Sequence, residues 1–187
     1  MINILYIDGN SKKKIIIKND IIGKTIKFFD KKYSTKTSLS VKVIKFIPIG
    51  YGLGGGSSNA SVVLKYLYSL HSIADSNYDY DSHIIGSDVS LFRNNLPKQI
   101  DGIASVKNTI KLKCSWKNIY LLLPSKRNPT KKIFSLYKNN NNKYFSFQNM
   151  TNNELIVPAM NYNKEMKEII LLLNKNYNLF LKYGMTG

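Results

Sequence analysis

From Pro48 to Ala60 the chain reads Pro-Ile-Gly-Tyr-Gly-Leu-Gly-Gly-Gly-Ser-Ser-Asn-Ala, with five glycines inside the seven residues 50–56. Glycine lets the backbone adopt positive φ and come close to a ligand. Beyond the loop, Val63, Tyr66, Leu67 and Leu70 recur at the spacing of one helix face, which predicts a helix from Ser57 to about Leu70. A helix start offers unpaired N–H groups and a partial positive charge. A glycine loop running into such a start suits the holding of a phosphate. Ser57 or Ser58 is expected to cap the helix, because a serine oxygen accepts a first-turn N–H. The plainer alternative is a flexible turn before a helix, and the density of glycines weighs against it.

Three phosphate loops compete. A Walker A loop needs Lys and then Ser or Thr after Gly-x-x-x-x-Gly. Gly50 and Gly55 have that spacing, but Gly56 stands where the lysine belongs. The dinucleotide fingerprint Gly-x-Gly-x-x-Gly is matched by Gly50, Gly52 and Gly55, with Asp75 about 20 residues on as the ribose acid. That fit fails on space, since residues 57–70 are taken up by the helix and leave no room for a second strand. Pro48 also interrupts the strand that should enter the first glycine. The third reading is a small-molecule kinase loop.

The segment from Gly54 to Ala60 resembles the GHMP kinase superfamily, named for its galactose, homoserine, mevalonate and phosphomevalonate kinases. The triple glycine followed by Ser57-Ser58-Asn59-Ala60 is similar to one branch, the 4-diphosphocytidyl-2-C-methyl-D-erythritol kinases, and Lys45-Phe46-Ile47-Pro48 fits that branch's approach strand. Ile85-Gly86-Ser87-Asp88-Val89-Ser90-Leu91-Phe92 resembles the same branch's Leu-Gly-(Ala/Ser)-Asp-Val-Pro-Phe-Phe. The resemblance implies that Pro48, Ile49, Gly50, Tyr51, Gly52, Leu53, Gly54, Gly55, Gly56, Ser57 and Ser58 bind ATP. It implies that Asp88 is the general base that takes the proton of the substrate hydroxyl as it attacks the γ-phosphate. Read by itself, Asp88 is an ordinary turn residue after glycine. Ser90 replaces the family's proline. A weaker match at Pro124 and at Pro129-Thr130 implies a substrate-cleft role for Thr130, and a plain helix-start threonine is the equal alternative. Asn153-Glu154-Leu155 and Pro158 resemble a structural Asn-Asp-Leu…Pro stretch of the family.

The implied activity is ATP-dependent phosphorylation of the 2-hydroxyl of 4-diphosphocytidyl-2-C-methyl-D-erythritol, with ATP and Mg²⁺ as cofactors. Ser58 is the metal-ligand candidate by position alone. Homoserine or mevalonate kinase is the alternative within the superfamily, and a basic nucleic-acid-binding module is the alternative outside it. The family's Pro-(Ala/Ser)-Lys-(Ile/Leu)-Asn-Leu opening and its cytosine-holding Asp-Gly-Tyr-His do not occur; Asp8-Gly9 is followed by Asn10-Ser11. Gly184-Met185-Thr186-Gly187 is similar to the opening of the family's second glycine motif. The chain thus resembles a middle piece of a family member, matched over about residues 35–187, and little turnover is expected from it alone.

The elements that must position these groups are short. Two strands are expected at 1–8 and 12–18, around Asp8-Gly9-Asn10. A helix is expected at 21–33 and a strand at 39–47, closed by Pro48, which lacks a ladder N–H. Residues 75–82 are polar and loop-like. Residues 119–123, Ile-Tyr-Leu-Leu-Leu, read as a buried strand. Pro129 opens a short helix, Asn139 to Asn142 form a loop, 164–174 an amphipathic helix and 177–183 a final strand. The irregular order of strands and helices predicts an α+β fold. The resemblance makes it a GHMP kinase fold: an N-terminal domain with a left-handed βαβ core at 1–110, lacking its first strands, and an incomplete C-terminal α+β domain at 111–187.

Composition narrows the partners. The 187 residues are 43% apolar and 21% charged, ordinary for a globular protein. Twenty-eight basic residues against eleven acidic give a net charge of +17, which favours an anionic partner: nucleotide, nucleic acid or membrane surface. A solvated lysine-rich surface is the alternative. The basic residues are scattered and carry no nucleic-acid motif, and the family resemblance implies a small-molecule substrate as the partner. One cysteine, Cys114, builds no disulfide or thiolate site, and two histidines, His71 and His83, make no multi-histidine metal site. No apolar run reaches the roughly 18 residues of a membrane span. The N-terminus lacks a basic n-region and cleavage site, so a cytoplasmic location is expected, with a plastid-type organelle as the alternative.

Overall fold

The alternating residues of Ile2–Asp8 and Leu39–Lys45 form strands β1 and β3, which pair in parallel from Ile2↔Leu39 to Asp8↔Lys45. The structure is a computed structural model and describes residues 1–18, 20–101, 105–109, 118–138, 150–151, 153–180 and 182–185. Lys14–Ile15 adds a two-residue strand, β2, antiparallel to β1, so the sheet order is β2-β1-β3. Helix α1, Ile21–Tyr33, connects the parallel pair. Asp20 caps it by accepting from the N–H groups of Ile22 (3.1 Å) and Gly23 (2.9 Å). The helix buries Ile22, Thr25, Ile26 and Phe29 along one face.

Helix α2, Gly55–Leu70, packs on α1. A 3-10 turn, Asp75–Asn77, leads into α3, Tyr78–Ile85, and a second 3-10 turn follows at Ser90–Phe92. Strands β4, Lys98–Asp101, and β5, Ser105–Thr109, form an antiparallel hairpin. The core consists of Tyr6, Ile22, Ile26, Phe29, Leu64, Leu67, Tyr68 and Tyr78, backed by Ile2, Ile4, Leu39, Val41 and Val43 of the sheet. Within it Asp81 is fully buried. Its carboxylate receives the Lys32 ammonium and the hydroxyls of Tyr33 (2.8 Å) and Tyr68 (2.7 Å). A buried charge needs such a set of partners.

The chain divides into two compact units, Met1–Ile49 with Gly54–Ser115, and Gly50–Leu53 with Trp116–Gly187. The second contains α4, Thr130–Lys138, α5, Ile156–Tyr162, and α6, Lys164–Lys175. Its core gathers Ile133, Met150, Ile156, Ala159, Met160, Met166, Ile170 and Tyr183. Asn163, almost fully buried, caps α6 by accepting from the Met166 N–H (3.2 Å). Its amide donates to the Lys126 carbonyl (2.7 Å) and to Asn128 (3.1 Å). The Asn153 side chain accepts from the Leu155 N–H (3.0 Å) just before α5, a structural turn. Pro158 falls in the first turn of α5, where its missing N–H costs no helix bond.

The mixed strands and helices are the α+β fold that the element order predicts. Several elements differ from expectation. The second strand covers only Lys14–Ile15 and β3 ends at Lys45, before Pro48 comes into play. The polar stretch 75–82 is helical, because Tyr78, Asp81 and Ser82 are buried by specific partners. Residues 119–123 form no strand and are exposed, Ile119 at 76% and Tyr120 at 79%. Among the described residues this run has no ladder partner, and an unpaired apolar run does not make a strand. The stretch 177–183 contains a 3-10 turn at Tyr177–Leu179 and a single parallel bridge from Tyr183 to Met150. The expected loop at Asn139 to Asn142 and the residue Cys114 lie outside the described residues. No described helix is long and apolar enough to cross a membrane.

Candidate functional site

The glycine loop is built by alternation. Gly50, Gly52 and Gly54 all have positive φ, at 86°, 72° and 65°, a conformation that costs an L side chain energy. Gly54 is the N-cap of α2, in the left-handed region and with no side-chain cap. The expected serine cap is therefore corrected: the helix starts at Gly55, two residues early, and Ser57 and Ser58 lie inside its first turn. The Ser58 N–H closes on the Gly54 carbonyl (2.9 Å). The N–H groups of Gly55, Gly56 and Ser57 precede the first helical bonds. No acidic side chain occupies that first turn. The helix face is corrected as well. Ala60, Ser61, Leu64, Leu67 and Tyr68 are buried, whereas Tyr66 is 51% and Leu70 44% exposed.

Phe92 joins the two motif segments. A Cβ at Gly54 would lie 2.4 Å from the Phe92 Cζ, so the ring covers the helix start at van der Waals range. Phe92 ends the turn that begins with Asp88, Val89 and Ser90, where the Leu91 N–H donates to the Asp88 carbonyl (3.3 Å) and the Phe92 N–H to that of Val89 (3.2 Å). The Asp88 side chain is exposed and accepts from the Ser87 hydroxyl at 3.1 Å. Ile21 also touches both motifs, lying 3.9 Å from where a Cβ at Gly56 and one at Gly86 would stand.

Lys45 lies at the root of the loop. Its Nζ donates to the Gly55 carbonyl at 3.2 Å. Partial burial pushes its ammonium below the usual lysine range. Strand parity marks it in the sequence, since it follows Leu39, Val41 and Val43 on the partly buried face of β3. Phe92 and Ile21 carry no such mark. Pro48 and Ile49 sit in the bend between β3 and the glycines. In the second unit, the Tyr51 hydroxyl donates to the Pro124 carbonyl (3.2 Å) and the Arg127 guanidinium lies 5.5 Å from the Tyr51 ring centroid. Gly52 is exposed and Leu53 half-buried. Thr130 is the exposed first residue of α4 in that unit.

Residues 20–87 match the GHMP kinases N terminal domain family. The GHMP segment opens at the α1 cap Asp20, contains the whole glycine loop and closes one residue before Asp88. Similar proteins include the 4-diphosphocytidyl-2-C-methyl-D-erythritol kinase of Lawsonia intracellularis, 30% identical over 75% of this chain and 48% of its own length. That of Wolbachia pipientis wMel is 28% identical over 95% of this chain and 66% of its own. That of Ureaplasma parvum serovar 3 is 34% identical over 44% of this chain and 31% of its own. The chain spans about half the length of the curated relatives it matches. A solved structure of 4-(cytidine 5'-diphospho)-2C-methyl-D-erythritol kinase superposes with a TM-score of 0.65 at 18% identity, covering 90% of this chain and 63% of that one. The fold around the GHMP segment is therefore that of a GHMP kinase.

Proposed function

We propose that the chain is an ATP-dependent small-molecule kinase whose acceptor is the 2-hydroxyl of 4-diphosphocytidyl-2-C-methyl-D-erythritol. The observation that carries this is a glycine loop with three positive-φ residues, opening into a helix start free of acid inside a GHMP kinase N-terminal domain. The names of the similar proteins supply the substrate. In this reading residues 48–58 hold ATP, residues 1–110 form the nucleotide domain and residues 111–187 belong to the second domain.

The chemistry follows from the arrangement. Phosphoryl transfer requires positioning and neutralisation of the moving phosphoryl group more than covalent help. The N–H groups of Gly55, Gly56 and Ser57, with the Lys45 ammonium behind them, offer such neutralisation. Asp88 takes the proton from the acceptor hydroxyl. Its exposure leaves it open to an incoming substrate. Thr130 contributes to the acceptor cleft. Mg²⁺ shields the charge of the phosphates when bound. Among the described residues no three His, Cys, Asp or Glu side chains cluster to hold a metal. Phosphates and water would supply most of the ligands of such an ion. The Ser58 hydroxyl is the first-turn oxygen that could add to them.

The test is titration of the purified chain with ATP, with and without Mg²⁺, and with NAD. Saturable ATP binding that Mg²⁺ tightens is expected, and no NAD binding. An absence of ATP binding would overturn the reading. Single-turnover ADP formation with the chain in excess over ATP, which reads the slow rate expected of it, then fixes the substrate among the cytidine-linked acceptor, homoserine and mevalonate. Asp88→Asn should lower that rate by about 10²-fold or more, the range of general-base catalysis, while leaving ATP affinity unchanged.

A further inference from the structure

We propose that Lys45 is a positioning residue of the phosphate site, holding the first peptide of α2 in its anion-facing orientation and setting an uncompensated positive charge behind it. This rests on the nucleotide-binding reading above. Two neutral groups meet the ammonium. The Gly55 carbonyl accepts from Nζ at 3.2 Å. With the Asn59 amide oriented to satisfy both neighbours, its oxygen accepts from Nζ at 2.9 Å and its nitrogen donates to the Gly55 carbonyl at 3.2 Å. The Gly55 oxygen thus receives two side-chain donors besides its helical bond. A planar trans peptide points its N–H opposite to its carbonyl. Fixing the Gly55 carbonyl therefore aims the Gly56 N–H away from the protein, toward the side from which an anion would approach.

Glycine at 55 and 56 leaves this peptide without side-chain packing, and the Lys45 and Asn59 contacts add to the helical bond that the Gly55 carbonyl accepts from four residues on. The charge is a separate matter. Among the described residues the ion pairs involve Lys32 and Arg93, and no carboxylate pairs with Lys45. Residues 39–60 contain no Asp or Glu at all. A cation drawn partly out of water without a counter-ion gains from any anion that arrives nearby.

The test compares wild-type chain with Lys45→Gln, Lys45→Met and Lys45→Arg by calorimetric titration with ATP·Mg²⁺, inorganic tripolyphosphate and adenosine. Glutamine keeps a donor and loses the charge, methionine keeps the stem alone, and arginine keeps the charge. The two neutral variants should weaken ATP and tripolyphosphate binding about tenfold or more, as expected for loss of a charge-assisted contact, with adenosine unchanged. Arginine should restore most of the phosphate affinity. Neutral variants that bind tripolyphosphate like the wild type would overturn the proposal. So would an equal loss of all three probes with an intact far-UV CD spectrum, since that marks a general structural role. Wild-type chain that binds neither ATP nor tripolyphosphate overturns the nucleotide reading itself, a distinct result. Glutamine and methionine perturb the site differently, so a folding defect in one leaves the other to decide.

Discussion

Replacing Gly54 with alanine attacks the loop at the position where two demands coincide. The backbone there has φ 65°, and a left-handed conformation costs a non-glycine residue about 1–2 kcal/mol. The new Cβ would also lie 2.4 Å from Phe92 Cζ and 3.0 Å from Cε2, so the ring must move. Overpacking of this kind costs about 1–3 kcal/mol. The two add to about 2–5 kcal/mol of lost stability, because one cost lies in the torsion and the other in the ring contact. Urea unfolding followed by far-UV CD on the wild type, Gly54→Ala, Phe92→Ala and the double variant separates them. In the Phe92→Ala background the steric part should vanish and about 1–2 kcal/mol of torsional cost should remain. A Gly54→Ala chain as stable as the wild type, or one with the same cost in both backgrounds, refutes the account of how Phe92 seats the helix start. ATP affinity should fall in step, since the same displacement moves the first-turn N–H groups.

Asp81→Ala should destabilise the first unit by about 3 kcal/mol or more, because it strands the Lys32 ammonium and two tyrosine hydroxyls around an empty site; the urea midpoint measures it. Asp30 links stability to acid. Burial pushes its carboxyl upward, but hydrogen bonds from the Thr37 and Thr35 side chains and the Thr37 N–H outweigh that and hold it below the usual carboxylate range. A depressed folded value means that the unfolded chain binds the proton more readily. The stabilisation is therefore complete above the ordinary aspartate value of about 4 and is lost as pH falls through the lower folded value. Melting temperatures of wild type and Asp30→Asn should differ at neutral pH and converge in strong acid; a gap that stays constant contradicts the assignment.

Local signals were enough for some elements. Ile22, Ile26 and Phe29 repeat at helical spacing, and α1 forms over the expected residues. Three alternate glycines advertise positive φ, and the loop takes it. The buried face of α2 was hidden because Ala60 and Ser61 contribute little hydropathy yet permit close approach, Ser61 meeting the Tyr78 hydroxyl at 2.5 Å. Helix α3 was hidden for a related reason. Its polar residues are buried by partners distant in sequence, as Asp81 is by Lys32 and Tyr33. At the site, Asp88 and the glycines were readable as motif residues. Phe92 was readable as the last residue of its motif but its role was not, since that role exists only once the turn after α3 folds back onto Gly54. Lys45 stood in plain view as part of the approach to the loop, but its half-burial depends on the completed sheet.

Residues 119–123 have a consequence for handling the protein. Five consecutive large apolar residues, rich in strand propensity and without a charge among them, stand exposed with no ladder partner among the described residues. Such a pentad can stack with its own kind in other molecules, backbone to backbone, as steric zippers do. In the sequence, Lys117 precedes the pentad and Lys126 and Arg127 follow it. These cations act as gatekeepers, since stacking chains in register would bring like charges together. Colloidal behaviour is thus tied to ionic strength: salt that screens the flanking cations removes the guard and leaves the pentad free to nucleate aggregates.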